Sequence, residues 1–174
     1  MKKILNIGCG NSTYGTHFID LYPQRRGVIK FDVEKADLPF RHNYFDEIFT
    51  ENIFEHITNP NIFLKRIYKI LKRGGIVRLI TDNASFWGWH LPGAKTHYGG
   101  YEKINKYGKS DCHYALYTSW HLYNHFKKVG FINFKYKYLI KSDRNPLIIR
   151  IISSFIRLFS KRMSYPQIEV TASK

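Results

Sequence analysis

The abrupt change of character at residue 8 constrains this chain most. Ile4-Leu5-Asn6-Ile7 is a short, mostly apolar run that meets Gly8-Cys9-Gly10-Asn11 with no polar alternation before it. Such a run reads as a strand buried on both faces, as in the middle of a parallel sheet. Glycines at its end let the backbone turn sharply and let a ligand approach the N–H groups. A helix is expected next, over Tyr14–Tyr22, stopped by Pro23, and Gly27-Val28-Ile29-Lys30-Phe31-Asp32 reads as a second strand ending in an acid. One strand–helix–strand unit places the chain in the α/β class.

The rest of the sequence extends that pattern. Phe45–Thr50 reads as a strand, and Asn59-Pro60 as a cap and first position of a helix running to Lys72, with Phe63, Ile67, Ile70 and Leu71 on one face. Gly74-Gly75 stops it before a strand over Ile76–Thr81. Periodicity disappears from Asn83 to Tyr117, a length typical of lids and binding loops. A helix capped by Thr118 or Ser119 runs to Val129, followed by strands over Phe131–Ile140 and Gln167–Ala172. Between those strands, 146–163 is strongly amphipathic: Arg150, Ser153, Ser154, Arg157, Ser160 and Lys161 recur at helical spacing opposite a broad Ile, Leu and Phe face. With 174 residues, one domain over 1–174 is expected, with 83–118 as a lid-like substrate loop and 146–163 as an inserted amphipathic helix.

Asp32 follows Gly10 by 22 residues (32 − 10), near the spacing of about 20 at which an acid after a second strand accepts hydrogen bonds from a ribose. Gly8, Gly10 and Asp32 together point to an adenosine-type nucleoside site. A nicotinamide site would need a further glycine where Thr13 stands. Gly108-Lys109-Ser110 lacks the upstream glycine of a phosphate loop, because Lys103 is there.

Asn6-Ile7-Gly8-Cys9-Gly10-Asn11, Asp37-Leu38-Pro39-Phe40, Tyr44-Phe45-Asp46-Glu47-Ile48, Phe54-Glu55-His56-Ile57 and Leu71-Lys72-Arg73-Gly74-Gly75 occur in an order that resembles the class I methyltransferases, particularly type 11. The resemblance covers about residues 3–82 and continues more loosely through the helix at 119–129 and the terminal strand. It implies a Rossmann-like three-layer α/β fold, with a mostly parallel sheet and an antiparallel last strand. It also implies S-adenosyl-L-methionine as cofactor, with Gly8, Cys9, Gly10 and Asn11 around the methionine moiety and Asp32 on the ribose. Asp37 and Leu38 would lie by the adenine, and Thr50, Glu51 and Asn52 near the sulfonium, while Asp46 would be a structural turn residue. The chain departs from the family at Asn6, where an acid is usual, and at Ser12, where a third glycine is common. Only four residues separate Asp32 from Asp37, so the fold is expected to be truncated between strands 2 and 3.

Methyl transfer from a sulfonium is an in-line displacement, in which alignment and exclusion of water are the protein's main tasks. A hydroxyl or amine acceptor must also lose a proton. His56, Asp82, Asp111 and His113 are the candidates, because they flank the cofactor end of the sheet. His90, His97, Asp111, Cys112 and His113 form a weaker metal-type group, and no metal is expected. His121 and His125 are expected on a solvated helix face. Trp87, Trp89, Tyr98, Tyr101, Tyr107, Tyr114 and Tyr117, interleaved with lysines, suit a substrate-binding surface.

The net charge is +15, and residues 120–174 hold 11 Lys or Arg against Asp143 and Glu169. That field favours an anionic partner. The expected reaction is methylation of a hydroxyl or amine on a small-molecule, glycan or lipid-linked acceptor, with peripheral contact to an anionic membrane. RNA methylation and a non-catalytic S-adenosylmethionine-binding module are the alternatives. With only Cys9 and Cys112, and no run of transmembrane length, a reducing, cytoplasmic setting is expected.

Overall fold

The computed structural model describes residues 1–91, 112–140 and 147–174. The expected lid therefore falls largely outside the described residues, and with it Asp111, His97, Tyr98, Tyr101, Tyr107 and the 108–110 segment. The described residues form one seven-stranded sheet in the order β3-β2-β1-β4-β5-β7-β6. Its strands are β1 (Ile4–Ile7), β2 (His17–Asp20), β3 (Ile29–Lys30), β4 (Phe45–Glu51), β5 (Leu71–Asp82), β6 (Ile132–Leu139) and β7 (Gln167–Ser173). The first five are parallel, whereas β7 runs antiparallel between β5 and β6. This is the sheet that the sequence implies, with the last strand reversed.

The expected helix over 14–22 is not formed; His17–Asp20 is a strand instead, paired in register Leu5↔His17 to Ile7↔Ile19. Gly15 sits at φ +124, outside the helical region, and a Cβ added there would stand only 3.2 Å from the Ile4 carbonyl oxygen. The Thr16 hydroxyl accepts from the Ile4 N–H at 2.9 Å and donates to the Ile4 carbonyl at 3.0 Å, so the chain re-enters the sheet at once. Thr16, Phe18 and Ile19 also prefer extended backbone. The strand read as second in the sequence is consequently β3. No helix lies between β2 and β3 either, and the truncation expected between Asp32 and Asp37 falls after β3, where residues 31–44 form neither helix nor strand before β4.

Asn6, the departure from the family pattern, belongs to this economy. Its buried amide donates to the Tyr14 carbonyl at 2.9 Å and to the Ser12 hydroxyl at 3.3 Å, clamping the turn that replaces the helix. An acid there would face that carbonyl with no proton to give.

Helix α1 (Pro60–Ile70) begins at the expected proline, but it ends two residues before Lys72, because Leu71 pairs with Phe45 as the start of β5. Helix α2 (Ser119–Val129) is closed by a Thr118–His121 capping box and by Gly130 at φ 106. Phe63, Leu64, Ile67, Leu122 and Phe126 from these helices join Leu5, Ile7, Ile48, Val77, Leu79 and Val170 in the core. His125 is not on a solvated face as expected. It packs edge-on against Phe54 and Tyr117 and contacts the Asn61 amide oxygen at 2.9 Å, and burial holds its pKa below the usual histidine value.

The layers are unequal, because the two missing crossover helices would have covered the other face. Around β1, β4 and β5 that face is plated by side chains instead. Tyr14 meets Phe49 edge-on at 5.1 Å, and the Arg78 guanidinium lies over both rings at 4.7 and 4.4 Å. Glu47 ties the plate together, accepting from Lys2 at 2.7 Å and from the Tyr14 hydroxyl at 2.6 Å. Burial works against the Glu47 charge, but those hydrogen bonds outweigh it and hold the carboxyl below its ordinary range. Stability from Glu47 is therefore complete above the ordinary carboxylate range and is lost as pH falls through the lowered folded value. Glu47→Gln is expected to cost about 2 kcal/mol in urea unfolding at neutral pH. That deficit should shrink towards pH 3, and a deficit independent of pH would refute the assignment.

Candidate functional site

The five parallel strands end on one edge, and there the described residues enclose a cavity of ≈350 Å3. This is the position at which doubly wound sheets bind ligands. Gly8 leaves β1 at φ 66, and a Cβ added there would collide with the Ile53 side chain on the opposite wall. The Gly10 N–H donates to the Asp20 carboxylate at 2.8 Å, and that carboxylate also accepts from Tyr22 N–H at 2.7 Å. Asp20 thus stands at the tip of β2, fixed against the glycine turn. Phe31, Asp32, Val33 and Glu34 continue the lining past β3, with Ile57 also on the wall. The cavity therefore pairs a backbone turn and three carboxylates, Asp20, Asp32 and Glu34, with an apolar slot, the groups needed by a nucleoside carrying an amino-acid tail.

Asn52, Ile53 and His56 form the other end, joined by Cys112 and Tyr114. His56 comes from a 3-10 turn, Phe54–His56, and its Nδ1 lies 3.0 Å from the Cys112 carbonyl. A carbonyl only accepts, so Nδ1 carries the proton and Nε2 of the neutral ring is the basic atom. The His113 ring meets His56 edge-on at 4.6 Å, and its Nδ1 is 3.6 Å from Asp82 at the tip of β5. Glu55 is buried beneath them and accepts from the Thr81 hydroxyl at 2.7 Å. Glu55, His56 and His113 each offer a ligand atom within 4.8 Å of the others, a spread that would fit one divalent cation. Burial, aided by the Glu55 charge, pushes the Tyr117 phenol up to about 12, which keeps it neutral.

The methyltransferase domain model of type 11 matches residues 5–79. An uncharacterized protein of Methanocaldococcus jannaschii is 29% identical over 96 residues, 48% of this chain and 47% of that protein, so the chain spans about half the length of that relative. A SAM-dependent methyltransferase of Archaeoglobus fulgidus shares the fold with TM-score 0.65 and 18% identity, over 99% of this chain and 86% of that one. A SAM-dependent methyltransferase of Thermotoga maritima does so with TM-score 0.68 and 15% identity, over 100% and 82%. Phosphoethanolamine N-methyltransferase 2 of Haemonchus contortus, in complex with S-adenosyl-L-methionine, superposes with TM-score 0.60 and 19% identity, over 100% and 49%. Residues 5–79 thus match the methyltransferase domain, and the whole chain shares the fold of these S-adenosylmethionine-dependent methyltransferases.

Within this fold the expected cofactor residues divide. Gly8, Asp32 and Asn52 line the cavity, and Gly10 shapes it through Asp20. Cys9 is buried behind the turn and Asn11 is exposed beyond it. Asp37 is exposed and ion-paired with Lys69 at 2.8 Å and Arg66 at 3.4 Å, whereas Leu38 is in the core. Thr50 is buried within β4, and Glu51 is exposed outside the cavity lining. Asp46 is structural, as expected, accepting from the Lys3 N–H at 2.8 Å and from Lys72. Of the aromatic set, Tyr114 lines the cavity. Trp87 and Trp89 instead donate to Ser153 and to the Asn83 carbonyl, and Tyr117 is core.

Asp20 is the residue that sequence spacing missed, since it follows Gly10 by only ten positions. Its signal was the extended-favouring run Thr16–Ile19 after Gly15. Calorimetric titration with S-adenosylhomocysteine is expected to show binding abolished by Gly8→Ala and weakened at least about tenfold by Asp20→Asn, which removes a charge-assisted acceptor. Asp37→Asn should leave it unchanged. Equal losses in Asp20→Asn and Asp37→Asn would return the site to the sequence-spaced assignment.

Proposed function

We propose that this methyltransferase transfers a methyl group to a hydroxyl or amine of a small-molecule, glycan or lipid-linked acceptor that enters beside His56. The observation that carries this reading is the His56 imidazole on the lining of the same cavity as the carboxylates Asp20 and Asp32, with its Nδ1 held by the Cys112 carbonyl. The cavity's own features fit the cofactor: a turn that a single Cβ would fill, an acid at the tip of β2 suited to ribose hydroxyls, and Asp32 with Val33 suited to an adenine edge and face. Bound there, S-adenosylmethionine supplies a methyl group activated as a sulfonium. The chain's part is to align the acceptor, exclude water and take up its proton.

His56 Nε2 accepts that proton as the acceptor's lone pair becomes a bond to carbon. The Cys112 carbonyl, holding Nδ1–H, fixes the tautomer that makes this acceptance available. His113 and Asp82 act behind it as positioning residues, setting the ring orientation.

An acceptor screen by release of S-adenosylhomocysteine tests this, with RNA, soluble amines and alcohols, and lipid-linked glycans as arms. On the accepted substrate His56→Gln is expected to lower kcat by about 10²- to 10⁴-fold with cofactor affinity retained. Dialysis against a chelator should leave turnover unchanged. Turnover lost to the chelator and restored by a divalent ion would reassign Glu55, His56 and His113 to a metal centre.

A further inference from the structure

Helix α3 (Leu147–Ile156) and the short helix α4 (Lys161–Ser164) belong to the segment whose amphipathic pattern is the strongest in the sequence. An amphipathic helix on a soluble domain turns its apolar stripe to the core. Helix α3 is docked the other way round. Ser153 is its buried residue, and the Trp87 indole N–H donates to the Ser153 hydroxyl at 2.8 Å. Leu147, Ile148, Ile151, Ile152 and Phe155 fall on the opposite side, and all five are exposed. The apolar surface continues beyond the helix with Leu158 and Phe159, 77% and 78% exposed, and Met163. No single-residue accident explains so contiguous a patch.

Charge along this segment has one sign. Arg150, Arg157, Lys161 and Arg162 lie in the same segment, and no acid occurs between Asp143 and Glu169. Arg157 is laid over the Tyr165 ring, with its guanidinium 4.7 Å from the ring centroid, and Arg162 donates to Ser85 at 2.8 Å; Arg150 and Lys161 are exposed. Among the described residues no helix is long and apolar enough to cross a membrane. An apolar face rimmed by cations, too short to span, matches the interface of a bilayer bearing anionic lipids.

The segment is also fastened to the functional edge of the sheet. Asn83, just past β5, donates to the Arg162 and Tyr165 carbonyls at 2.7 Å each. Gln167 at the start of β7 donates to Asn52 on the cavity wall at 2.6 Å. We infer that the outward face of α3 and residues 157–163 dock on an anionic lipid surface and hold the cavity's edge next to it. Resting on the reading above, this selects a lipid-linked acceptor among the proposed classes.

Co-sedimentation of the purified protein with phosphatidylcholine vesicles containing phosphatidylglycerol, compared with phosphatidylcholine alone, tests the docking. Saturable binding to the anionic vesicles is expected, weakened at least about tenfold by Phe155→Asp/Phe159→Asp and reduced by Arg150→Gln/Lys161→Gln or by raised salt. Titration with S-adenosylhomocysteine should be the same for all three proteins, which shows that the variants are folded. No sedimentation at low salt, or equal sedimentation of the Phe155→Asp/Phe159→Asp variant, would overturn the inference. So would light scattering that shows a dimer converted to monomer by that variant, since the face would then join two copies of the chain. Vesicle binding without cofactor binding would sink the methyltransfer reading and leave the docking surface standing.

Discussion

Joining two neighbouring parallel strands without a helix is the constraint on which the rest of this structure depends. A parallel connection must carry the chain back along the whole strand length, and a crossover of a dozen or more residues usually does so. Here residues 8–16 do it, held by side-chain hydrogen bonds in place of a packed helix. The Asn6 amide secures the middle of the turn, Thr16 ties its end to Ile4, and Asp20 ties its start to Gly10. Because buried polar partners lose more when left unpaired than they gain when paired, these few contacts fix the register of β2.

Two consequences follow from that short connection. On the cavity side, the carboxylate at the tip of β2 is both a clamp on the glycine turn and a wall of the site, so folding and ligand contact draw on the same atoms. On the far side, the sheet loses the helices that would bury it, and an aromatic–guanidinium plate of Tyr14, Phe49 and Arg78 around Glu47 takes their place. A plate of that kind tolerates water at its margins, as a helix-covered apolar face does not, because its outer atoms are charged and hydroxyl groups.

What could be read from the sequence follows the range of the interactions. Gly8, the helix starting at Pro60 and Gly130 as a helix stop are written in local pattern, and each is found where the pattern puts it, while the reversal of β7 was legible through the family resemblance. Asp20 was hidden because the motif spacing presumes a helix of ordinary length between β1 and β2, and only long-range pairing with Leu5–Ile7 reveals a strand there. The expectation at Asp37 came from the Asp-Leu-Pro-Phe motif, and there Asp37 pairs with Lys69 and Arg66 of α1. His125 was misplaced for a related reason: its helical face is polar by composition, but the Phe54 and Tyr117 rings close over it.

The orientation of α3 is the part that periodicity alone could never decide. Amphipathicity states that a helix has two faces; it does not state which one the protein keeps. Ser153 supplies the answer, because a small hydroxyl donor–acceptor satisfied by an indole lets the polar side be the docked side at little desolvation cost. Once that side is fixed, the apolar side must find another nonpolar medium or remain in water at a cost of about 25 cal/mol per Å2. The cations of the segment make an anionic bilayer the medium that gains from both terms, and the Asn83 and Gln167 contacts put the reactive edge of the sheet where such a surface would present its lipids.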